Sequence, residues 1–229
     1  HMYITQRLND GPPVDFDALG VPLGVDLEFG WIGRDDARAQ ERNCGIYLTW
    51  GPTVTCADTR DSAAVAAAQQ EALDRLRPIV ERLHQAGMLV HAAPRLGVRE
   101  TRRIRGRTVI TETHLRAGAK PADTVAIGGW WLDIWGAEID EGERRVPPYG
   151  IPYAALLPDG VEGLLVAGKA ISISHLALSA YRVQPSVAAA GEAAGVAAAL
   201  AAHAGVPPAA VTPADVRAGL GWIDALLEL

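Results

Sequence analysis

The sequence carries only two cysteines, Cys44 and Cys56, and their spacing is not CxxC. They imply no disulfide framework, and a cytoplasmic, reducing compartment is the one they fit. Basic residues are in the minority, with 21 Lys and Arg against 27 Asp and Glu and a net charge of −6. Nucleic acid or an anionic membrane would call for the opposite balance, so neither is expected as a partner. No HExxH, Gly-x-Ser-x-Gly or P-loop pattern occurs, and the histidines are too scattered to suggest a metal cluster. Gly219-Leu-Gly221 lacks the third glycine and a following helix unit, so it is no dinucleotide fingerprint. No apolar run follows a basic start, which argues against a signal peptide, and His1 ahead of Met2 reads as a cloning remnant. The longest apolar stretch, 186–204, is mostly alanine and contains Gly191, Glu192 and Gly195. Its residues are too small and too polar for a convincing membrane span.

Against these absences stands a chain of 229 residues, 49% hydrophobic, which is enough for one large domain or two small ones. Residues 9–30 are rich in Gly, Pro and Asp and read as irregular structure. Residues 43–57 hold β-branched and aromatic residues divided by Gly51-Pro52, the pattern of two strands and a turn. Asp61-Ser62 is a helix cap, and Val65, Ala68, Ala72, Leu76, Ile79, Val80 and Leu83 then recur at helical spacing up to Gly87. Pro78 is expected to kink that helix. Met88–Ala92 and Thr108–Thr111 are strand candidates, and a turn-rich stretch with Trp130, Trp131, Asp133 and Trp135 follows. Residues 163–168 (Gly-Leu-Leu-Val-Ala-Gly) read as a short, fully buried strand. Pro185 suits a first helical turn, Gly205 a helix end, and Thr212 with Asp215 the start of a last helix.

The strand, glycine, loop and helix over 163–204 form the most informative unit. Glycine at the end of a strand lets a ligand approach the backbone, and a helix N-terminus offers unpaired N–H groups to an electron-rich acceptor. In a flavin site that acceptor is the pyrimidine edge of the ring. Gly191 and Gly195 lie one turn apart and permit close packing against a sheet or a cofactor. Plain helix packing explains the same spacing. The tryptophans suit either an apolar substrate wall or a core. Alternating arginines over 95–107 suit a solvated strand face.

Residues 97–111 (Gly-Val-Arg-Glu-Thr-Arg-Arg-Ile-Arg-Gly and onward) and 149–200 (with Ile-Pro-Tyr, Leu-Leu-Val-Ala-Gly-Lys, Ile-Ser-Ile-Ser-His and Arg-Val-Gln-Pro) carry a more specific signal. They resemble, in order and spacing, the C-terminal half of FAD-dependent oxidoreductases of the glutathione-reductase superfold. The resemblance implies FAD as cofactor, with Gly168, Lys169, Ala170, Arg182, Val183, Pro185 and Gly191 around the ring. It implies His175 on the substrate side as a proton donor or acceptor, with Arg99 and Arg182 in the catalytic set and Arg99, Glu100 and Arg103 in a polar network. A structural role for His175 is the alternative. Trp130, Trp131 and Trp135 would face the substrate. The chain departs from the family pattern at Trp135, where histidine is common, at Ala154, where arginine is usual, and at Lys169, again for arginine.

The fold implied is α/β in the broad sense (α+β), a partial glutathione-reductase-like flavoprotein fold. A mixed-sheet substrate-type domain would occupy 1–148, the C-terminal part of an FAD domain 149–205, and a last helix 206–229. A complete enzyme of this type opens with a Rossmann GxGxxG unit that cradles the FAD diphosphate, and these residues hold none. A two-chain flavoenzyme is therefore expected. A separate chain would bring the Rossmann unit, and a small organic substrate would exchange a hydride at flavin N5. The rival is a degenerate flavoprotein fragment without redox activity, acting as a small-molecule binder, cyclase or auxiliary subunit.

Overall fold

The computed structural model describes residues 2–7, 25–26, 30–31, 46–134 and 140–221. The chain divides into two compact units, His1–Arg99 and Glu100–Leu229.

The first unit is built on an antiparallel sheet of β1 (Met2–Arg7), β2 (Val25–Asp26), β3 (Gly30–Trp31), β4 (Ile46–Trp50) and β5 (Met88–Ala92), in the order β3-β2-β4-β1-β5. Central β1 sets Ile4 opposite Leu48 on one side and opposite His91 on the other. Helix α1 (Ser62–Gln85) packs against β5. The Asp61 carboxylate caps it, accepting from the Ala63 N–H at 2.9 Å. Ala68, Ala72, Leu76 and Leu83 form its buried stripe, at the spacing that keeps one helical face inward. The helix runs unbroken through Pro78 and ends ahead of Gly87 at φ 80°. In the described part of 43–57, only Ile46–Trp50 is a strand. Residues 51–55 stay outside the sheet, because β1 and β2 already occupy both edges of β4.

The second unit centres on an antiparallel pair, β6 (Thr124–Gly128) and β7 (Tyr149–Pro152). Gly128 lies opposite Tyr149, and a side chain there would strike the Tyr149 ring at 2.5 Å. Helices α2 (Glu112–Arg116), α3 (Glu141–Arg144), α4 (His175–Tyr181), α5 (Gln184–Ala204) and α6 (Pro213–Gly221) complete the unit. Helix α5 lies on β6 and α6 through Ser186, Ala190, Ala193, Ala197 and Ala201. Their small side chains bring the helix close to its neighbours. Leu115, Leu132, Ile151, Leu156, Ile171 and Tyr181 fill the remaining core, and each large side chain buried there is worth about 1.5–3 kcal/mol. Helix α5 is long and apolar enough, by length and composition, to cross a membrane. Its alanine face is nevertheless part of this core.

The strands β6 and β7 sit where the sequence reads as turn-rich, because Gly128-Gly129 and Pro147-Pro148 border them. Every ladder between described strands is antiparallel. Residues 108–111 form no strand: Ile110 makes a single bridge to Ile173, and Thr111 instead caps α2. The segment 163–168 forms no strand either, and it is not fully buried, since Leu164 is 46% exposed. A strand exists only beside a neighbour, and no described strand pairs with it. Gly163 at φ 72° and Gly168 at φ 74° turn the chain at both ends. The boundary expected at 148/149 falls within the second unit, just ahead of β7.

Candidate active site

Helix α5 starts behind Val183, whose backbone is extended, and no side chain caps it. Gln184 and Pro185 are exposed, and Pro185 has no N–H to satisfy. Ser186 has a hydroxyl of the kind that caps helices, but it is buried beside the hydroxyl of Tyr149. The first N–H groups of a 21-residue helix therefore lie at an open end, where the aligned peptide dipoles give positive potential.

A 3-10 turn, Gly168–Ala170, packs against α5. A side chain at Gly168 would meet nothing within 4 Å, so the space over its backbone is free. Lys169 is exposed and Ala170 half-buried. Gly191 and Gly195 are also open, with nothing within 4 Å of an added Cβ. Among the described residues neither glycine is used for close packing, and the buried face of the helix is lined by alanines and Ser186.

Arg182 joins α4 to α5. Its Nη2 donates to the Asp133 carbonyl at 2.7 Å, and the Asp133 carboxylate lies 3.6 Å away. Its side chain is only 16% exposed, so this contact fixes the loop that carries Trp130 and Trp131. Those two rings are 5.2 Å apart, tilted by 58°, and 45% and 51% exposed. They belong to the surface and not to the core. Trp135 lies outside the described residues.

His175 opens α4, behind Ser174, whose hydroxyl accepts from the Ala177 N–H at 3.4 Å. Its Nδ1 meets Glu100 Oε2 at 2.5 Å, and Arg103 Nη1 donates to Glu100 Oε1. Burial by itself would raise the Glu100 carboxyl. The hydrogen bonds from Arg103 and His175, with their charges, outweigh burial and hold it below its ordinary value of 4.5. The backbone secures this group: the Ile104 N–H donates to the Ala170 carbonyl at 2.9 Å, and the Ser174 N–H to the Ile110 carbonyl at 2.8 Å. The arginine-rich segment, the Gly168–Ala170 turn and His175 are thus brought together. Arg99 is half-buried and ends the first unit, while all other described candidates lie in the second. Sequence spacing gave no sign that Glu100 would meet His175, 75 residues away, or that Asp133 would hold Arg182.

A family model described as FAD dependent oxidoreductase matches residues 29–220. The chain belongs to the FAD-dependent oxidoreductase family. The match reaches into the first unit, well ahead of the motif that begins at Gly97. No curated protein and no solved structure matches the chain. Membership gives it a flavin redox role with FAD as cofactor. The residues fit one part of that cofactor well, since an uncapped helix end and an open glycine backbone suit the pyrimidine edge of the ring.

Proposed function

We propose that this chain is one subunit of a two-chain FAD-dependent oxidoreductase acting on a small organic substrate. The observation that carries the reading is the open, uncapped start of α5 beside the Gly168–Ala170 turn. Two further features support a second polypeptide. Among the described residues the segment 163–167 joins no ladder, and the sequence contains no GxGxxG loop for the diphosphate. A Rossmann unit on a separate chain would extend a sheet to the segment and cradle the diphosphate.

FAD, when bound, supplies the site for hydride exchange at N5. The chain's own groups do the rest. The N–H groups at the start of α5, with Val183 and Pro185 beside them, hold the pyrimidine edge, and Gly168, Lys169 and Ala170 border it. Gly191 leaves room along the helix. Arg182 holds the tryptophan loop in place, and Trp130 and Trp131 offer apolar surface to the substrate. His175 moves a substrate proton.

Co-expression with a Rossmann-bearing polypeptide encoded beside it tests the reading. The expected product is a yellow complex with one FAD per pair, from a chain that is colourless when purified alone. A chain that binds FAD tightly by itself would remove the second subunit from the proposal. A colourless product in both preparations would favour the non-redox alternative, a small-molecule binder or auxiliary subunit.

A further inference from the structure

We infer that Glu100 is a positioning residue that fixes the His175 imidazole with its proton on Nδ1, which presents Nε2 as a proton acceptor. An ionised carboxylate only accepts hydrogen bonds. Glu100 meets Nδ1 at 2.5 Å, so Nδ1 must carry the hydrogen. Arg103 takes the other carboxylate oxygen and keeps the charge in place. The depressed carboxyl value of Glu100 agrees with this arrangement.

Nε2 is then the free ring nitrogen, on a side chain that is 72% exposed. Both partners are anchored. Glu100 leads a segment tied by Ile104 to the Gly168–Ala170 turn, and His175 sits on the first turn of a capped helix. A substrate O–H or N–H can give its proton to Nε2 while the Nδ1 proton stays where it is. The resulting imidazolium is balanced by the Glu100 carboxylate.

His114 provides the contrast within the same unit. Its Nε2 lies 2.8 Å from the Gly150 carbonyl. A carbonyl also only accepts, so this ring carries its hydrogen on Nε2, the opposite tautomer. The two histidines therefore have distinguishable nitrogen signatures, one positioned for chemistry and one for structure.

The tautomer stands on geometry alone, while the role of Nε2 in turnover rests on the proposed oxidoreductase reading. Long-range proton–nitrogen correlation on the full chain, labelled with 15N-histidine, tests the first. His175→Asn identifies the ring. The expected neutral ring has a protonated Nδ1 and an unprotonated Nε2. Glu100→Ala should shift it toward the Nε2–H form that an unconstrained histidine side chain prefers, with the His114 signals unchanged as a control on folding. A wild-type His175 in the Nε2–H form overturns the inference without any variant. So does an unaltered His175 in a folded Glu100→Ala chain. In the FAD-loaded complex, His175→Asn and Glu100→Ala should both lower turnover, the former by about 100-fold or more. Unchanged turnover in both, with the tautomer as expected, overturns the acceptor role but leaves the flavin reading intact.

Discussion

Tyr149 and Tyr181 place two phenols inside the second unit, both fully buried. Burial raises both, and for Tyr181 the neighbouring Tyr149 raises it further. The folded chain therefore keeps protons that the unfolded chain releases above the ordinary value of 10.0. Stability from these groups is complete below pH 10 and is lost as pH rises toward the folded values. Thermal melts across alkaline pH should show the transition temperature falling from about pH 10 upward. Phenolate absorbance should appear together with unfolding, and titration of both rings in the folded chain near pH 10 would contradict their burial. At this scale the sequence was legible by residue type. His175 and Arg182 stood out because their chemistry is distinctive, and the helix caps did because capping is local. Glu100 was named beside Arg99 and Arg103, but its contact with His175 crosses 75 residues, as that of Asp133 with Arg182 crosses 49, and no local pattern encodes either.

Among elements, α5 and α6 show how closely small residues let helices approach. A methyl group on Gly219 would lie 2.5 Å from Val196 Cγ1. Gly219→Ala should therefore destabilise the chain by about 1–3 kcal/mol through overpacking. Urea unfolding would measure this, and an unchanged midpoint would mean that the helices separate without cost. The ends of these helices were readable in advance. Gly205 takes φ 66° at the end of α5, and the Asp215 N–H bonds the Thr212 hydroxyl at 3.1 Å at the start of α6. The strands were less readable. Residues 163–168 have the composition of a buried strand, but β-structure depends on a pairing strand alongside, and no described strand pairs with them. Conversely, β6 and β7 form despite flanking glycines and prolines because each completes the other.

For the molecule as a whole, the family match over 29–220 spans both units, and Gly191 and Gly195 leave open space along α5 among the described residues. Gly195 is exposed on its face of the helix. Gly195→Leu should leave the isolated chain as stable or raise its stability by up to about 1 kcal/mol, since glycine is a poor helix former. Under the two-subunit reading it should also weaken association with the Rossmann-bearing chain, read as lost co-purification and lost FAD. A drop in melting temperature would place Gly195 in internal packing, and undiminished association would clear the face of any role. The unladdered run at 163–167 has a further effect. Apart from the Val166 N–H, which donates to the Leu156 carbonyl at 2.9 Å, its backbone groups join no ladder among the described residues, and beside the exposed Leu164 they offer an edge to an extended peptide. Under the two-subunit reading, a copy made without its mate would be prone to clump or be degraded, and the cell would have to produce the two polypeptides in matched amounts.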